Sequence, residues 1–280
     1  MGDLYLRKVI LEIFPAEGQP KKIQDLRIKF KCEKTNEGKP GKSKIEIYNL
    51  SEDTRSVLEA KNTRVRVAIG YLGLKPGGIA GSGIGSSSSV ETVLIGDITK
   101  VVHKTETADR ITTIEVADGG NKYRNARIDK GYPPNVKLKD VIDELTEELG
   151  LPKGAQEGIP DKTFANGLTL SGPIRDHLNT LCKASGLEWS IQDETLQIVE
   201  SGKATADSIL EITPDTGLVP TPAKTDKGVE FESLLQPTIR PGRRVKIKSR
   251  DVNGVFKIRK VDHEGDSHQG TFLSKCQATK

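Results

Sequence analysis

Alternating apolar and charged residues dominate the first 126 positions of the chain. Alternation or a β-rich composition marks five segments: residues 26–32, 45–48, 64–69, 92–99 and 110–116. Each of the first three places one apolar face inward and one charged face outward. A short helix over residues 52–61, with Ser51 as its N-cap, separates two of the strands. This order predicts a curled antiparallel sheet, sandwich or barrel over residues 1–126.

A Gly/Ser-rich segment, residues 73–89, interrupts this β region. Glycines let backbone N–H groups approach an anion, but no Gly-Lys-Ser/Thr motif follows and the next residues form a strand pattern. The segment therefore favours a hairpin loop over a nucleotide cradle. Because loops of this length in compact domains are often functional, we expect it to order against a partner, with Gly83, Ser86 and Ser87 as candidate interface residues.

The periodicity changes to helical between residues 127 and 205. One amphipathic helix is predicted over 138–149, and a second is predicted to begin at an N-cap Ser171 with Pro173 in its first turn. A hairpin follows, with strands 187–191 and 195–199. These elements predict a small α+β domain inserted between two β regions.

The last region, residues 206–280, returns to strands. Strands are predicted at residues 229–235, 244–248, 254–261 and 270–276. One short match connects this region to the first, because Ile98–His103 and Ile258–His263 share four of six residues. In both regions the segment ends a strand that turns into the last strand, which hints at two related β domains. The predicted fold is mainly β, with β-barrel or sandwich domains at 1–126 and 206–280 around the α+β insert at 127–205.

Composition narrows the possible functions. The 280 residues hold 43 basic and 39 acidic side chains, a net charge of +4, which lacks the excess of Lys and Arg expected of a dedicated nucleic-acid binder. No secretory signal and no run of about eighteen apolar residues is present, so no membrane anchor is predicted. Three widely spaced cysteines fit small apolar residues in a reducing compartment.

No pattern of catalytic residues stands out. His263 and His268 flank a predicted turn with Glu264 and Asp266, which could offer metal ligands, but a solvated turn explains the same residues. His177 and Cys182 would lie about 140° apart around one helix and cannot act as base and nucleophile. We therefore expect no enzyme activity, catalytic residue, metal or cofactor.

The densest basic segment covers residues 240–250. Arg244, Lys246 and Lys248 would line one face of a strand opposite Val245 and Ile247. A nucleic-acid surface is one interpretation, although no aromatic side chains accompany it for base stacking. A solvated or subunit-facing strand is favoured. Arg243, Arg244 and Lys246 are therefore also candidate interface residues.

Several segments resemble one known family. Residues 6–13, 42–51, 64–71 and 94–98 are similar to the first tube-like barrel of the baseplate hub, or tail-tip, proteins of contractile-tailed bacteriophages. Residues 231–242 and 254–266 resemble the second barrel of that family, and the middle region resembles its inserted α/β domain.

The resemblance implies a structural role in the virion, after assembly in the cytoplasm of the bacterial host. A homotrimer with two similar barrels in each chain would present six barrels to the sixfold tail tube and threefold symmetry to the central spike. Further implied partners are other baseplate or wedge proteins, and genomic DNA passing through the lumen. Residues after 280 that could form a spike or lysozyme-like domain are absent from this sequence, so those functions are expected on separate chains. The alternatives are a nucleic-acid-binding β-barrel module using residues 243–250, and an enzyme with its site in residues 127–205.

Overall fold

A computed structural model describes residues 7–71, 90–205 and 209–280. Its strands are β1 (Arg7–Phe14), β2 (Lys21–Ile23), β3 (Ile28–Thr35), β4 (Lys42–Tyr48), β5 (Arg64–Tyr71), β6 (Glu91–Glu106), β7 (Asp109–Ala117), β8 (Arg127–Tyr132), β9 (Val136–Lys137), β10 (Lys153–Glu157), β11 (Thr163–Phe164), β12 (Leu168–Pro173), β13 (Leu187–Gln192), β14 (Thr195–Glu200), β15 (Leu210–Ile212), β16 (Ala223–Thr225), β17 (Gly228–Leu234), β18 (Arg244–Lys248), β19 (Asn253–Asp266) and β20 (Phe272–Thr279). The helices are α1 (Glu52–Glu59), α2 (Gly120–Asn125), α3 (Leu138–Leu149) and α4 (Ile174–Ala184), and Pro214–Thr216 forms one 3-10 turn.

One sheet of 13 strands joins the first and last regions of the chain, in the order β16-β17-β20-β19-β3-β4-β7-β6-β5-β1-β2, with β18 also paired to β19 and β15 paired to β18. All of its pairs are antiparallel except β15 with β18. The predicted mainly β class with large antiparallel sheets is confirmed. The ladder between β19 and β3 makes the two β regions one continuous sheet.

This sheet rolls up around its core. Strands β5 and β20 stand six places apart in the sheet, which would separate them by about 29 Å in a flat sheet with strands about 4.8 Å apart. Instead the rings of Tyr71 and Phe272 lie 5.5 Å apart, centroid to centroid. The Tyr71 hydroxyl also donates to the carbonyl of Leu235 at 3.1 Å. Side chains from the last region therefore cover the open side of the first.

Three clusters of buried apolar residues follow the chain. The first draws on strands β1 to β7 and also takes Leu235 and Phe272 from the last region. The second lies among the helices and strands of residues 128–198. The third lies among residues 212–278. The division into domains at 126/127 and 205/206 stays a prediction, since the first cluster already includes residues from the last region.

The middle region contains the two predicted helices, and the start of the second was wrong. Ser171 is not an N-cap; it lies in β12 opposite Asp129 of β8, because β12 continues up to Pro173. Helix α4 begins directly after that proline, whose extended backbone ends the strand. The predicted hairpin is present as β13 and β14, joined by a two-residue turn at Asp193 and Glu194.

The short sequence match between the two β regions corresponds to a repeated structure. Strands β5, β6 and β7 pair in order, as do β18, β19 and β20. The β6–β7 ladder and the β19–β20 ladder each shift register at the same place in the motif. The shift lies between Ile98 and Lys100 in β6 and between Ile258 and Lys260 in β19. A β-bulge adds one residue to one strand and bends it there. Both copies of the motif thus encode the same bend.

The register of the neighbouring strands repeats as well. In β5, Arg64 lies opposite Asp97, and in β18, Arg244 lies opposite Lys257, which occupies the position of Asp97 in the repeat. The histidine that ends each motif contacts a hydroxyl on the next strand. His103 Nδ1 lies 3.0 Å from Thr112 Oγ1, and His263 Nδ1 lies 2.8 Å from Ser274 Oγ.

The predicted turn near His263 was wrong. Strand β19 continues to Asp266, because residues 260–266 pair with β3 on one side and most of them with β20 on the other. The turn falls after Asp266, whose carboxylate accepts the backbone N–H of His268 at 3.0 Å. His263 is fully buried, and this burial lowers its pKa to about 3.

Candidate assembly interface

The tip of the β13–β14 hairpin is held by a buried carboxylate from the end of β7. Asp118 is 4% exposed and accepts the backbone N–H groups of Asp193 at 2.6 Å and Glu194 at 2.7 Å. Both turn residues have positive φ, which a two-residue hairpin turn of this kind requires. Burial raises the pKa of Asp118 to about 7, which nearby Lys34 and Arg240 oppose.

Ion pairs attach the same hairpin tip to both β regions. Lys34 of β3 contacts the Asp193 carboxylate at 2.6 Å, and Arg240, which follows β17, contacts it at 3.3 Å. Arg64 of β5 pairs with Glu194. Lys34 is only 5% exposed, so its pairing with Asp193 is required to keep a buried ammonium satisfied. The hairpin therefore lies where the first and last regions of the chain meet.

A second group of polar contacts holds strand β13, on one side of the hairpin, against the β regions. Glu188 of β13 accepts from Asn36 at 2.8 Å and from Lys257 at 2.9 Å. Gln192 donates to the carbonyl of Pro241 at 3.1 Å. Together with the tip contacts, these bonds fix the middle region against the joined β sheet at several separate points.

The basic strand predicted from the sequence is present as β18. Val245 and Ile247 are buried, while Arg244 is exposed and Lys246 half-buried on the opposite face, as the alternation predicts. Lys246 lies between Glu211 of β15 and Val255 of β19. Lys248 pairs with Glu211 at 2.5 Å. Arg243 lies just before the strand and donates to the carbonyl of Thr238 at 3.3 Å.

The repeat shows how the basic pattern is used in the other β region. Strand β5 has the same arrangement, with Arg64 and Arg66 outside and Val65 and Val67 fully buried. There Arg64 pairs with Glu194, and Arg66 pairs with Glu12 at 2.8 Å. Basic outer faces are thus a property of both repeats, and one of them is neutralised within the chain. This weakens the case for a specialised nucleic-acid surface on β18.

The other predicted interface residues, Gly83, Ser86 and Ser87, lie outside the described residues. His263 and His268 do not share a ligand set, since His263 is buried against Ser274 and His268 is exposed. In the described parts of the chain, no group of three or more His, Cys, Asp or Glu side chains could hold a metal ion. Across those same residues, no helix is both long and apolar enough to cross a membrane.

Sequence reasoning missed the contacts around the hairpin tip. Asp118 and Asp193 lie 75 positions apart, and neither belongs to a recognisable motif. One local signal was available, because two polar residues between alternating strands indicate a tight turn that exposes backbone N–H groups. Which carboxylate would accept them depended on the tertiary arrangement.

Solved structures with a similar fold include prophage tail proteins and a component of a type VI secretion system. A 43 kDa tail protein of prophage MuSo2 from Shewanella oneidensis has 10% sequence identity and a TM-score of 0.67, with 98% of this chain and 97% of that chain covered. A tail protein from Neisseria meningitidis has 9% identity and a TM-score of 0.64, with 97% and 96% covered. The E. coli c3393 protein, described as a type VI secretion component similar to T4 tail proteins gp27 and gp5, has 11% identity and a TM-score of 0.63, with 96% and 76% covered.

A search of curated protein sequences finds no match. A family model described as baseplate hub gp41, however, matches residues 8–278. That match spans both β regions and the middle region, and it agrees with a fold shared with phage tail proteins. The chain is a structural protein of the phage tail and belongs to the baseplate hub gp41 family.

Proposed function

We propose that three copies of this chain form the hub ring of the baseplate, which joins a sixfold tail tube to a threefold central spike. In this role the chain is a structural subunit without enzymatic activity. The observation that carries the proposal is the repeat of β5–β6–β7 in β18–β19–β20, with the same bulge and the same histidine contact.

The repeat matters because of symmetry. A ring of three chains with two equivalent β units each offers six similar surfaces toward a sixfold tube, while its opposite face keeps threefold symmetry. The continuous sheet across β19 and β3 holds the two units in a fixed relation, and the hairpin contacts at Asp118 and Glu188 stiffen that relation. A rigid pair of units is what a symmetry adaptor needs.

Co-expression with the tube and spike proteins of the same tail tests this function. We expect particles with a threefold ring that contains three copies of the chain between tube and spike when imaged by electron microscopy. A matched preparation without the spike protein shows whether the ring needs it. A chain that stays monomeric in every mixture, or that releases muropeptides from cell walls, would contradict the proposal.

A further inference from the structure

The internal junction between the two β regions is an example of sheet-edge pairing. Strand β20 occupies one edge of β19, while the other edge pairs first with β18 through residues 253–257 and then with β3 through residues 260–266. The second half of β19 thus uses an edge that its own three-stranded unit leaves free. In this ladder Asp262 lies opposite Glu33 and His263 lies opposite Cys32.

The equivalent edge in the first β region has no strand against it among the residues that the structure describes. Strand β6 pairs with β7 on one edge and with β5 on the other, but the β5 ladder ends at Asp97. Residues 100–106, which correspond to 260–266, have no strand on that second edge in the described part of the chain. Val102 is 43% exposed, and only four large apolar side chains in all the described ranges of the chain are exposed to this degree.

The equivalent of β3 in the last β region is β16. Strand β4 pairs with β7 as β17 pairs with β20, since Ser43 lies opposite Val116 and Val229 lies opposite Ala278. Outside β4 lies β3, with Cys32 opposite Ser43; outside β17 lies β16, with Lys224 opposite Val229. Lys224 therefore takes the position of Cys32.

The free edge of β16 is open in the same way. Its residues, Ala223 to Thr225, are all exposed, and β16 pairs only with β17 within the described residues. Unpaired N–H and C=O groups at a sheet edge are a template for another strand. The β19–β3 junction therefore has one equivalent of each of its two strands elsewhere in the chain, β6 and β16, and within the described ranges neither of these two edges is paired with another strand.

We infer that the β6 edge at residues 102–104 of one copy pairs antiparallel with β16 of a second copy, in the register of the β19–β3 junction. This places Val102 opposite Thr225, His103 opposite Lys224 and Lys104 opposite Ala223. The occupant is a second copy because each edge matches the repeat equivalent of the other. The contact is head-to-tail, and repetition of such a contact generates a ring when the rotation between copies closes, as the proposed threefold hub requires. The inference deepens the proposed function and rests on it, since it names the surface that joins neighbouring subunits.

Cysteine cross-linking tests the register directly. Directly opposed strand residues hold their Cβ atoms within about 4.5–5.5 Å, close to what a disulfide needs. Two single variants, Val102→Cys and Thr225→Cys, are mixed at high concentration under mild oxidation. We expect a covalent dimer in the mixture and none from either variant alone, because a head-to-tail contact never brings two copies of Val102 together. The native cysteines, Cys32, Cys182 and Cys276, are buried and contribute little background.

A matched control replaces Thr225→Cys by Lys224→Cys. The neighbouring residue points to the other face of the sheet, so its mixture with Val102→Cys is expected to stay uncrosslinked. Both Val102 and Thr225 are exposed, and circular dichroism with an unfolding curve confirms that each variant folds.

Light scattering on the wild-type chain separates this inference from the proposed function. Non-covalent oligomers without the Val102–Thr225 product, or with equal product from Lys224→Cys, overturn the edge pairing while the hub function stands. A chain that remains monomeric up to the highest soluble concentration also overturns it, because this pairing needs no third component. Failure of the hub function is read instead from the tube and spike co-expression, where no ring would form.

Discussion

The two repeated units share a local pattern and differ in what surrounds it. His103 and His263 end the same motif and contact equivalent hydroxyls, yet the His103 side chain is 26% exposed and reaches Glu59, whereas His263 is completely buried. The difference arises because β3 covers the second half of β19, while the corresponding part of β6 lies at the periphery. The motif therefore sets the backbone shape, and the neighbouring strand sets burial.

A second pair of equivalent positions shows the same principle with charge. Asp97 accepts the backbone N–H of Asn121 at 2.9 Å, and Lys257 contacts Glu188 at 2.9 Å. Asp97 thus contacts helix α2, which follows β7, whereas Lys257 contacts β13 of the middle region, and the two side chains carry opposite charges. The repeated backbone thus offers one anchoring position twice, and each copy uses the charge that its own partner requires.

The largest contrast is expected on truncating the two histidines. His263→Ala removes a buried ring, leaves a cavity and deprives Ser274 of its partner, so we expect a loss of about 3 kcal/mol in the free energy of unfolding. His103→Ala removes a partly exposed ring and is expected to cost less than about 1 kcal/mol. Urea denaturation of both variants measures the difference. Equal losses would mean that burial does not distinguish the two units.

The pH dependence of stability sharpens the same contrast. Burial holds the pKa of His263 at about 3 against an ordinary 6.5, so the unfolded chain takes up a proton that the folded chain refuses. Stability from this group is therefore complete above about pH 6.5 and falls as the pH decreases toward 3, by up to about 1.4 kcal/mol per pH unit.

The measurement compares wild-type chain with His263→Gln, which cannot titrate, in urea titrations at several pH values. Asp118 has a raised pKa of about 7 and opposes the trend, but it is present in both proteins and cancels in the difference. A difference that stays constant between pH 6.5 and 4 would show that His263 accepts a proton in the folded state.

The sequence predicted the repeated units better than their connections. Alternation located β5, β6, β18 and β19, because one buried face leaves a period of two in the chain. It ended β19 too early, at 261, since residues after it look like a turn until β3 is known to pair with them. Strand β6 was shortened for a related reason, as its exposed second half lacks an apolar face.

The contacts at the hairpin tip lay beyond sequence reasoning for a different reason. Asp118 and Asp193 carry no periodic signal, and what joins them is a tertiary contact across 75 positions. The basic strand was located correctly as β18, and the interface role of Arg244 and Lys246 stays a prediction.

A smaller contrast is expected at the two anchoring positions. Glu188→Gln keeps the shape of the side chain but leaves the Lys257 ammonium, only 7% exposed, without a counter-charge. We expect a loss of about 1–2 kcal/mol in the free energy of unfolding. The matched variant Asp97→Asn keeps an oxygen that accepts the Asn121 N–H, so its cost should stay below about 0.5 kcal/mol. If Asp97→Asn lost more free energy of unfolding than Glu188→Gln, the contact that depends on charge would lie in the first unit and not in the second.

The smallest effect is expected from exchanging the bulge residues between the units. Thr99 and Arg259 are the extra residues at the two register shifts, and both are exposed. Thr99 donates one bond to the carbonyl of Glu115 at 3.1 Å, while Arg259 holds Asn36 through its backbone carbonyl, which any residue supplies. The double variant Thr99→Arg with Arg259→Thr should therefore change the free energy of unfolding by less than about 1 kcal/mol. A loss well above that value in urea titration would show that the side chains of Thr99 and Arg259, and not the flanking apolar residues that the motif shares, specify the bulge.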